Sequence, residues 1–273
     1  MPRPSRSVAP TGADEYQPNR SRPVRVRSRT LPVDAHFEPH QHAWAQVAYC
    51  AQGVLQVSVD HPGRSSGQVT YIVPPSRAVW IAPQAVHSVR VLEAAQFRTL
   101  YVDASMVPGE WERCRVLVVS PLLRELVPAL DAPLLPRARE ALLTALLLDE
   151  LRAADTQALG VPLPPADSGD KRLRALCEAV LRAPAERATL AQWAADVGAS
   201  ERTMARLFRD ELGTTYQQWR QQVVLAHALP LLARGVPVNQ VALASGYASE
   251  SAFTAMFKGA MGQPPRLFQP RAG

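Results

Sequence analysis

The sequence has few cysteines and no long hydrophobic run, and each shortage excludes a class of protein. Its 273 residues contain only three cysteines, Cys50, Cys114 and Cys177, which are far apart and outside any CxxC pattern. An odd, scattered set argues against a disulfide framework and a cysteine-based zinc site, and it favours a reducing compartment. The longest apolar run, residues 141–148, is too short to span a bilayer. We therefore expect a cytoplasmic protein without a membrane segment.

Charged residues are distributed unevenly along the chain. The net charge is +6, with +5 in residues 1–30, −4 in residues 31–169 and +5 in residues 170–273. Basic ends around an acidic middle indicate a polyanion-binding part joined to a part with another role.

Composition and periodicity divide the chain into four segments. Residues 1–30 are rich in Pro, Ser and Arg and predict a disordered basic tail. Residues 31–103 contain short alternating apolar runs between turn residues, which predict a small β-barrel or sandwich. Residues 104–168 predict leucine-rich helices and a proline-rich linker after Gly160, and residues 169–273 predict an all-helical domain. The predicted fold class is α+β.

Leucines recur at helical spacing in the third segment. One helix begins near Ser120 and a second follows Pro136, a residue favoured in the first turn. The leucines expected on their apolar faces are Leu122, Leu123 and Leu126, and then Leu142, Leu143, Leu146, Leu147 and Leu151. This leucine face either packs on the barrel or joins two chains in a homodimer, and the pattern leaves both interpretations open.

A helix-turn-helix pattern begins at Thr189. Thr189 and Gln192 have the spacing of a capping box, Gly198 ends the first helix, and Ser200 caps the second. In the second helix, apolar residues are expected to face inward: Met204, Leu207 and Phe208. A basic stripe is expected on the outer side: Arg202, Arg206 and Arg209. Such a helix suits the major groove, because arginine matches guanine edges and phosphates.

The pattern recurs 48 residues later, with Gly246 at the turn and Ser249 as the cap. Phe253, Met256 and Phe257 are expected inward, and Glu250, Ser251, Thr254 and Lys258 outward. Residues 215–234 predict a connecting helix about 30 Å long. Two recognition helices joined in this way could meet adjacent major grooves, about 34 Å apart on one face of double-stranded DNA.

Residues 172–268 resemble the DNA-binding domain of AraC/XylS-family regulators. The matching stretches are residues 189–209, 241–247, 251–258 and 262–268. By position, the resemblance implies base-reading roles for Arg202, Ala205 and Arg206, and for Glu250, Ser251, Ala252, Thr254 and Ala255. Arg209 and Lys258 complete the expected DNA-binding set. Because Lys258 is the only cation of the second recognition helix, we expect the first to supply more of the base-specific energy.

The barrel segment is similar to the two cupin motifs, HxH-x3-E-x6-G and PxG-x2-H. The matching residues are His40, His42, Gln46, Gly53 and His87. The resemblance implies a metal site at His40, His42, Gln46 and His87, where imidazoles suit Zn, Fe, Ni or Mn. His40 and His42 are two residues apart, so they would share one side of a strand. Gln46 replaces the motif's glutamate and Ala85 its turn glycine.

The cupin resemblance allows two further interpretations of this segment. Sensor cupins often lose the metal and bind an organic effector; Trp44, Tyr49, Trp80 and Tyr101 are the candidate lining of such a pocket. The third reading is a purely structural barrel, since large aromatics in a small barrel are more often core.

The favoured function is a sequence-specific DNA-binding transcription regulator whose front half senses a small molecule or a metal. One rival is a metal-dependent cupin enzyme, which would be expected to keep its carboxylate ligand and has no use for a duplicated helix-turn-helix. Another rival is an architectural DNA-binding protein, which the strand-rich front half argues against. We therefore predict a protein that is not an enzyme.

Overall fold

The computed structural model divides the chain into two compact units. One contains Met1–Val59 and Tyr71–Leu159, and the other contains Asp60–Thr70 and Gly160–Gly273. The structure describes residues 6–8, 16–60, 68–157, 159–165, 167–186 and 189–269. Within those ranges, no helix has both the length and the apolar character needed to cross a membrane.

The first unit is built mainly from two β-sheets. The strands with residues in it are β1 (Arg6–Ser7), β2 (Val24–Leu31), β3 (Ala35–His40), β4 (Ala45–Cys50), β5 (Val54–Asp60), β6 (Gln68–Val73), β7 (Arg77–Ile81), β8 (Val86–Glu93), β9 (Ala95–Val102), β10 (Arg115–Val118) and β11 (Thr156–Gln157). One sheet has the order β1-β3-β8-β5-β6, and the other has the order β11-β10-β7-β4-β9-β2. The predicted sheet-rich first domain is confirmed.

Strand β2 corrects the predicted tail. It pairs antiparallel with β9 over its whole length, from Val24 opposite Val102 to Leu31 opposite Ala95. The prediction of a disordered tail through residue 30 is therefore wrong from residue 24 onward, and also at β1, which pairs with β3; residues 1–5 and 9–15 lie outside the described residues. The alternating arginines of Val-Arg-Val-Arg conceal a strand in which Val24, Val26 and Leu31 are buried.

The sheet that contains β2 packs one face on two helices. These are α1 (Pro121–Leu130) and α2 (Arg137–Ala153), and Ser120 caps α1 through its hydroxyl. The shared core includes Val47, Tyr49, Trp80, Leu100, Leu123, Leu126, Leu147 and Leu151. These helices thus belong to the core of the first unit, which differs from the predicted separate linker over residues 104–168.

The leucines of the predicted apolar face divide between the core and the surface. Leu147 and Leu151 are buried, whereas Leu142 is 74% exposed and Leu146 is 41% exposed. Leu122, expected on the apolar face of α1, is 43% exposed. Helix α2 therefore has one side in the core and a second apolar side at the surface.

The second unit is helical, as predicted. Its elements are β12 (Gly160–Leu163), α3 (Lys171–Arg182), α4 (Leu190–Asp196), α5 (Glu201–Leu212), α6 (Tyr216–Ala233), α7 (Val238–Ala244) and α8 (Glu250–Met261). Trp219 on α6 is fully buried, and its indole N–H donates to the Pro162 carbonyl at 2.8 Å. Val161 is buried in the same core. Residues 160–163, predicted as linker, therefore form part of this unit.

The two turn glycines adopt the left-handed conformation, but their surroundings differ. Gly198 has φ +68°, and a Cβ added there would meet no atom within 4 Å. Gly246 has φ +79°, and a Cβ there would lie 2.2 Å from the carbonyl oxygen of Ala185. Conformation alone thus favours glycine at the first turn, whereas conformation and space both require it at the second.

We expect Gly246→Ala to destabilise the second unit far more than Gly198→Ala. The Gly198 variant should cost about 1–2 kcal/mol for left-handed backbone, and the Gly246 variant about 1–3 kcal/mol more because the Ala185 backbone must move. Calorimetric unfolding of the full chain measures both changes. Equal losses from the two variants would contradict the assignment of close packing to Gly246.

Candidate functional site

Helices α4 and α5 form the first helix-turn-helix. Thr189 caps α4 in a capping box with Gln192, as predicted, and the Ser200 hydroxyl accepts from the backbone N–H of Thr203 at 3.2 Å. Met204, Leu207 and Phe208 are buried beneath α5. The opposite side exposes three arginines: Arg202, Arg206 and Arg209.

Arg206 is partly engaged within α5. Its guanidinium donates to the Asp210 carboxylate at 3.0 Å, and both side chains are more than half exposed. An exposed pair of this kind contributes about 0.3–0.5 kcal/mol. The pair therefore orients Arg206 without preventing it from exchanging Asp210 for another partner.

Helices α7 and α8 repeat this arrangement with different surface chemistry. Ser249 caps α8 by accepting from the Ala252 backbone N–H at 3.2 Å, and Phe253 and Phe257 are buried. Glu250, Ser251, Ala252, Ala255 and Lys258 are exposed, and Thr254 is half-buried. Met256, predicted inward, is half-buried instead and faces a groove.

Equivalent positions of α5 and α8 differ in charge. Both helices follow a capping serine, so Arg202 corresponds to Ser251, Arg206 to Ala255, and Arg209 to Lys258. The buried positions keep their apolar character in both helices. The scaffold is thus repeated, while two of the three cations are absent from the second helix.

A groove of about 700 Å³ lies between the two helix-turn-helix pairs. Ala205 and Arg209 of α5, Arg220 of α6 and Met256 of α8 are among its lining residues. Helix α6 is 18 residues long, hence about 27 Å. Thr215 is its N-cap and forms a capping box with Gln218. The predicted connecting helix is confirmed.

Three histidines converge inside the first unit. His40 ends β3 and pairs with His87 of β8, and their ring centroids are 4.3 Å apart. The His42 ring lies 5.0 Å from that of His87. One potential ligand atom from each histidine falls within 4.8 Å of the other two.

The predicted reason for this convergence is wrong in one respect. His42 is not on β3 but in the loop that follows it, so strand alternation does not bring it beside His40. The strand is irregular between Phe37 and His40, and this irregularity turns His40 to the side that carries His87. The backbone N–H of Gln84 donates to the His42 carbonyl at 2.9 Å and fixes the loop.

Each histidine ring donates through Nδ1 to a backbone carbonyl. The acceptors are Glu38 for His40, Trp44 for His42 and Ala85 for His87, at 2.7, 2.7 and 2.9 Å. These bonds leave the lone pair of each neutral ring on Nε2. In the described structure, His87 Nε2 is buried without a hydrogen-bond partner.

Burial favours the neutral form of His42 and of His87. It lowers the pKa of His87 to about 3, and the nearby rings of His40 and His42 lower it further. Burial also lowers the pKa of His42, against the opposing hydrogen bond with Gln46. Neutral imidazole is the form that binds a metal ion.

Gln46 lies beside the cluster, as predicted. Its Oε1 is 2.8 Å from His42 Nε2. When His42 donates through Nδ1, both of these atoms are hydrogen-bond acceptors. Either they share a cation, or the Gln46 amide is turned over so that its NH2 group donates to His42 Nε2. Ala85, the other departure from the cupin motif, is not strained, since the left-handed residue of this turn is Gln84, with φ 62°.

The candidate aromatic lining divides between two faces of a sheet. Trp44 stacks on His42 at 5.0 Å, and the Tyr101 ring lies 6.1 Å from that of His42. Tyr49 and Trp80 instead lie in the core between the sheet and α1 and α2, where the Trp80 indole donates to the Trp111 carbonyl. Tyr49 and Trp80 are therefore not part of the histidine site.

Sequence reasoning missed two residues on the interior face, Arg27 and Arg29. Because Val24 and Val26 enter the helix-packed core, the alternate positions of β2 lie on its other face. Arg27 is opposite Thr99, and Arg29 is opposite Phe97. The alternation of valines and arginines in this segment indicates a strand, but the segment is assigned to the predicted disordered tail.

Comparison with known families supports this division of the chain. Residues 24–160 match the family described as AraC-like ligand binding domain, and residues 193–271 match the family described as Helix-turn-helix domain. The HTH-type transcriptional regulator NimR of Escherichia coli (strain K12) is 34% identical over 229 residues, covering 83% of this chain and 80% of NimR. The HTH-type transcriptional regulator RipA of Corynebacterium glutamicum is 31% identical over 108 residues, covering 40% of this chain and 32% of RipA.

Solved structures of similar proteins include ToxT from Vibrio cholerae. It has a TM-score of 0.37 and 11% identity, covering 90% of this chain and 96% of ToxT. The C-terminal domain of AraT, a response regulator from Geobacillus stearothermophilus, has a TM-score of 0.36 and 22% identity, covering 38% of this chain and 87% of that domain. With an AraC-like ligand-binding unit and a helix-turn-helix unit, and with NimR matched over most of its length, the chain belongs to the AraC-type family of transcriptional regulators.

Proposed function

We propose that α5 and α8 enter adjacent major grooves of one operator and that α5 supplies most of the base-specific contacts. The observation that carries this proposal is the unequal charge of two otherwise equivalent helices. Arginine can bind guanine through two hydrogen bonds, whereas alanine and serine at the matching positions of α8 offer apolar contacts or single hydrogen bonds. The proposed DNA-binding set is Arg202, Ala205, Arg206, Arg209, Glu250, Ser251, Ala252, Thr254, Ala255 and Lys258.

Arg206→Ala should weaken operator binding by about 1–3 kcal/mol and relax base preference at one position. Lys258→Ala should weaken operator and random DNA alike and reduce the salt dependence of binding, because a lone lysine on this helix serves a phosphate. Titration of operator and scrambled duplexes across salt concentrations measures both effects.

Arg206→Lys is the matched control, since it keeps the charge but loses the planar fork of the guanidinium. If this variant retained full operator preference, Arg206 would be a phosphate contact and the base-reading role would be excluded.

We propose further that His40, His42 and His87 bind a divalent transition metal, with Gln46 beside them. All three rings donate Nδ1–H to carbonyl groups, as metal-binding histidines usually do, and one potential ligand atom of each ring lies within 4.8 Å of the other two. Zinc, iron, nickel and manganese all accept imidazole, so the residue types leave the choice among them to metal analysis. The ion would hold the loop after β3 against β8.

Protein purified without an affinity tag should contain about one metal ion per chain, and His87→Ala should lose it. The metal content is measured by elemental mass spectrometry, and operator binding is compared with and without chelator. A change in DNA affinity on metal removal would make the metal an effector rather than a structural ion.

His36→Ala is the control for the metal experiment. His36 is on the same strand as His40, but its Nε2 lies 2.8 Å from the Glu38 carboxylate instead. Metal content that falls equally in both variants, or is unchanged in His87→Ala, would contradict the proposed ligands.

We propose that the chain forms a homodimer through α2. Leu142 and Leu146 are four residues apart, hence on one side of the helix, and both are exposed. A two-fold contact would place the same leucines of a second copy against them, because such an interface is self-complementary. The buried leucines of α2 hold this surface rigidly on the first unit.

A Leu142→Asp, Leu146→Asp double variant should be monomeric by sedimentation while the parent chain is dimeric. Leu243→Asp is the control, because Leu243 is 65% exposed on α7, in the other unit. A double variant that sediments like the parent would remove α2 from the dimer contact.

We also propose that the protein is cytoplasmic and has no catalytic activity. Cys50, Cys114 and Cys177 are all free, which suits a reducing compartment. Among the described residues, the histidine cluster contains no carboxylate, and Gln46 cannot serve as a general acid or base at neutral pH.

A further inference from the structure

Arg27 and Arg29 place positive charge inside the first unit without a balancing carboxylate. Burial lowers the pKa of Arg29, and the charge of the neighbouring Arg27 lowers it further. In the described part of the chain, neither arginine forms an ion pair. Their guanidinium groups instead lie over aromatic rings, Arg27 over Tyr16 at 4.8 Å and Arg29 over Phe37 at 5.5 Å.

Two nitrogen donors on this side lack acceptors. Arg27 Nη1 and Trp44 Nε1 are both buried without a hydrogen-bond partner among the described residues. Both groups can only donate, so neither can satisfy the other. A buried donor without an acceptor is destabilising, and more so when it is charged. A ligand that supplies acceptor oxygens and negative charge would remove this cost.

Arg29 faces a small interior cavity that the histidine site shares. The cavity measures about 10 Å³, and His40, Gln46, Thr99 and Tyr101 also line it. A space of this size holds about one water molecule. It therefore has room for about one oxygen atom of a ligand's charged group, and the rest of the ligand would remain at the half-exposed rim that includes His40 and Trp44.

We propose that the effector of the first unit is a small organic carboxylate, whose charged group is bound by Arg27 and Arg29 beside the histidine cluster. A planar carboxylate matches the guanidinium fork through paired hydrogen bonds and needs less space than a tetrahedral phosphate. This proposal rests on the first unit being the effector-binding part of the regulator. It requires no metal, because the arginines by themselves supply the charge and the donors.

The test compares benzoate with its neutral isostere benzamide by calorimetric titration into chelator-treated full-length protein. Benzoate should bind at least about tenfold more tightly than benzamide, since hydrogen bonds to a charged group are stronger than those between neutral groups. Arg29→Gln and Arg27→Gln should each weaken benzoate binding about tenfold or more. Inorganic phosphate, titrated in parallel, should bind more weakly than benzoate.

Arg98→Gln is the matched control. Arg98 is also on the β2–β9 pair, but it donates to Ser28 at 2.8 Å, on the opposite face from Arg27 and Arg29. Its loss should leave benzoate affinity within about twofold of the parent value. If Arg27→Gln fails to fold, Arg29→Gln still tests the proposal, because the Arg29 side chain is half-exposed.

Several results would overturn the proposal: no benzoate binding, equal binding of benzamide, tighter binding of phosphate, or parent-like benzoate affinity in both arginine variants. Benzoate binding that appears only with metal and is lost in His87→Ala would assign the anion to the metal instead. None of these results affects the DNA-contact proposal, which operator titration tests separately. The outcome of the metal analysis likewise does not depend on the arginines.

Discussion

The first unit depends on one sheet whose two faces have different roles: one packs on helices α1 and α2, and the other carries charged side chains. Side chains alternate across a strand, so β2 directs Val24 and Val26 into the core with α1 and α2, and it directs Arg27 and Arg29 to the other side. A shift of one residue in the pairing of β2 with β9 would bury the arginines against the helices. Because that exchange is energetically prohibitive, the hydrophobic core also fixes which residues face the proposed ligand site.

The same constraint separates the candidate aromatic residues. Tyr49 and Tyr101 are on neighbouring strands of one sheet, yet Tyr49 contributes to the helix-packed core and Tyr101 faces His42. The leucines of α2 divide in a similar manner between the core and an exposed side. A single apolar pattern thus serves two surfaces, and its residues acquire different roles only when a neighbouring element covers one of them.

The second unit repeats a scaffold while varying its surface. Capping serines, left-handed turn glycines and buried aromatic or aliphatic residues recur in both helix-turn-helix pairs, because each short helix needs a cap and a core. The exposed positions are free of that requirement. Arg206 and Ala255 occupy equivalent places, and their difference is therefore available for recognition of the DNA sequence.

The sequence by itself determined the features that depend on local spacing. These include the capping box at Thr189, the inward residues Met204 and Phe208, the connecting helix, and the short strands that follow residue 44. Only the tertiary structure decided which contacts distant segments make: the pairing of β2 with β9, the His40–His87 contact across two strands, and the packing of Trp219 on Pro162. Local patterns record backbone preference and the side a residue faces, whereas the partner on that side is set by chain segments tens of residues away.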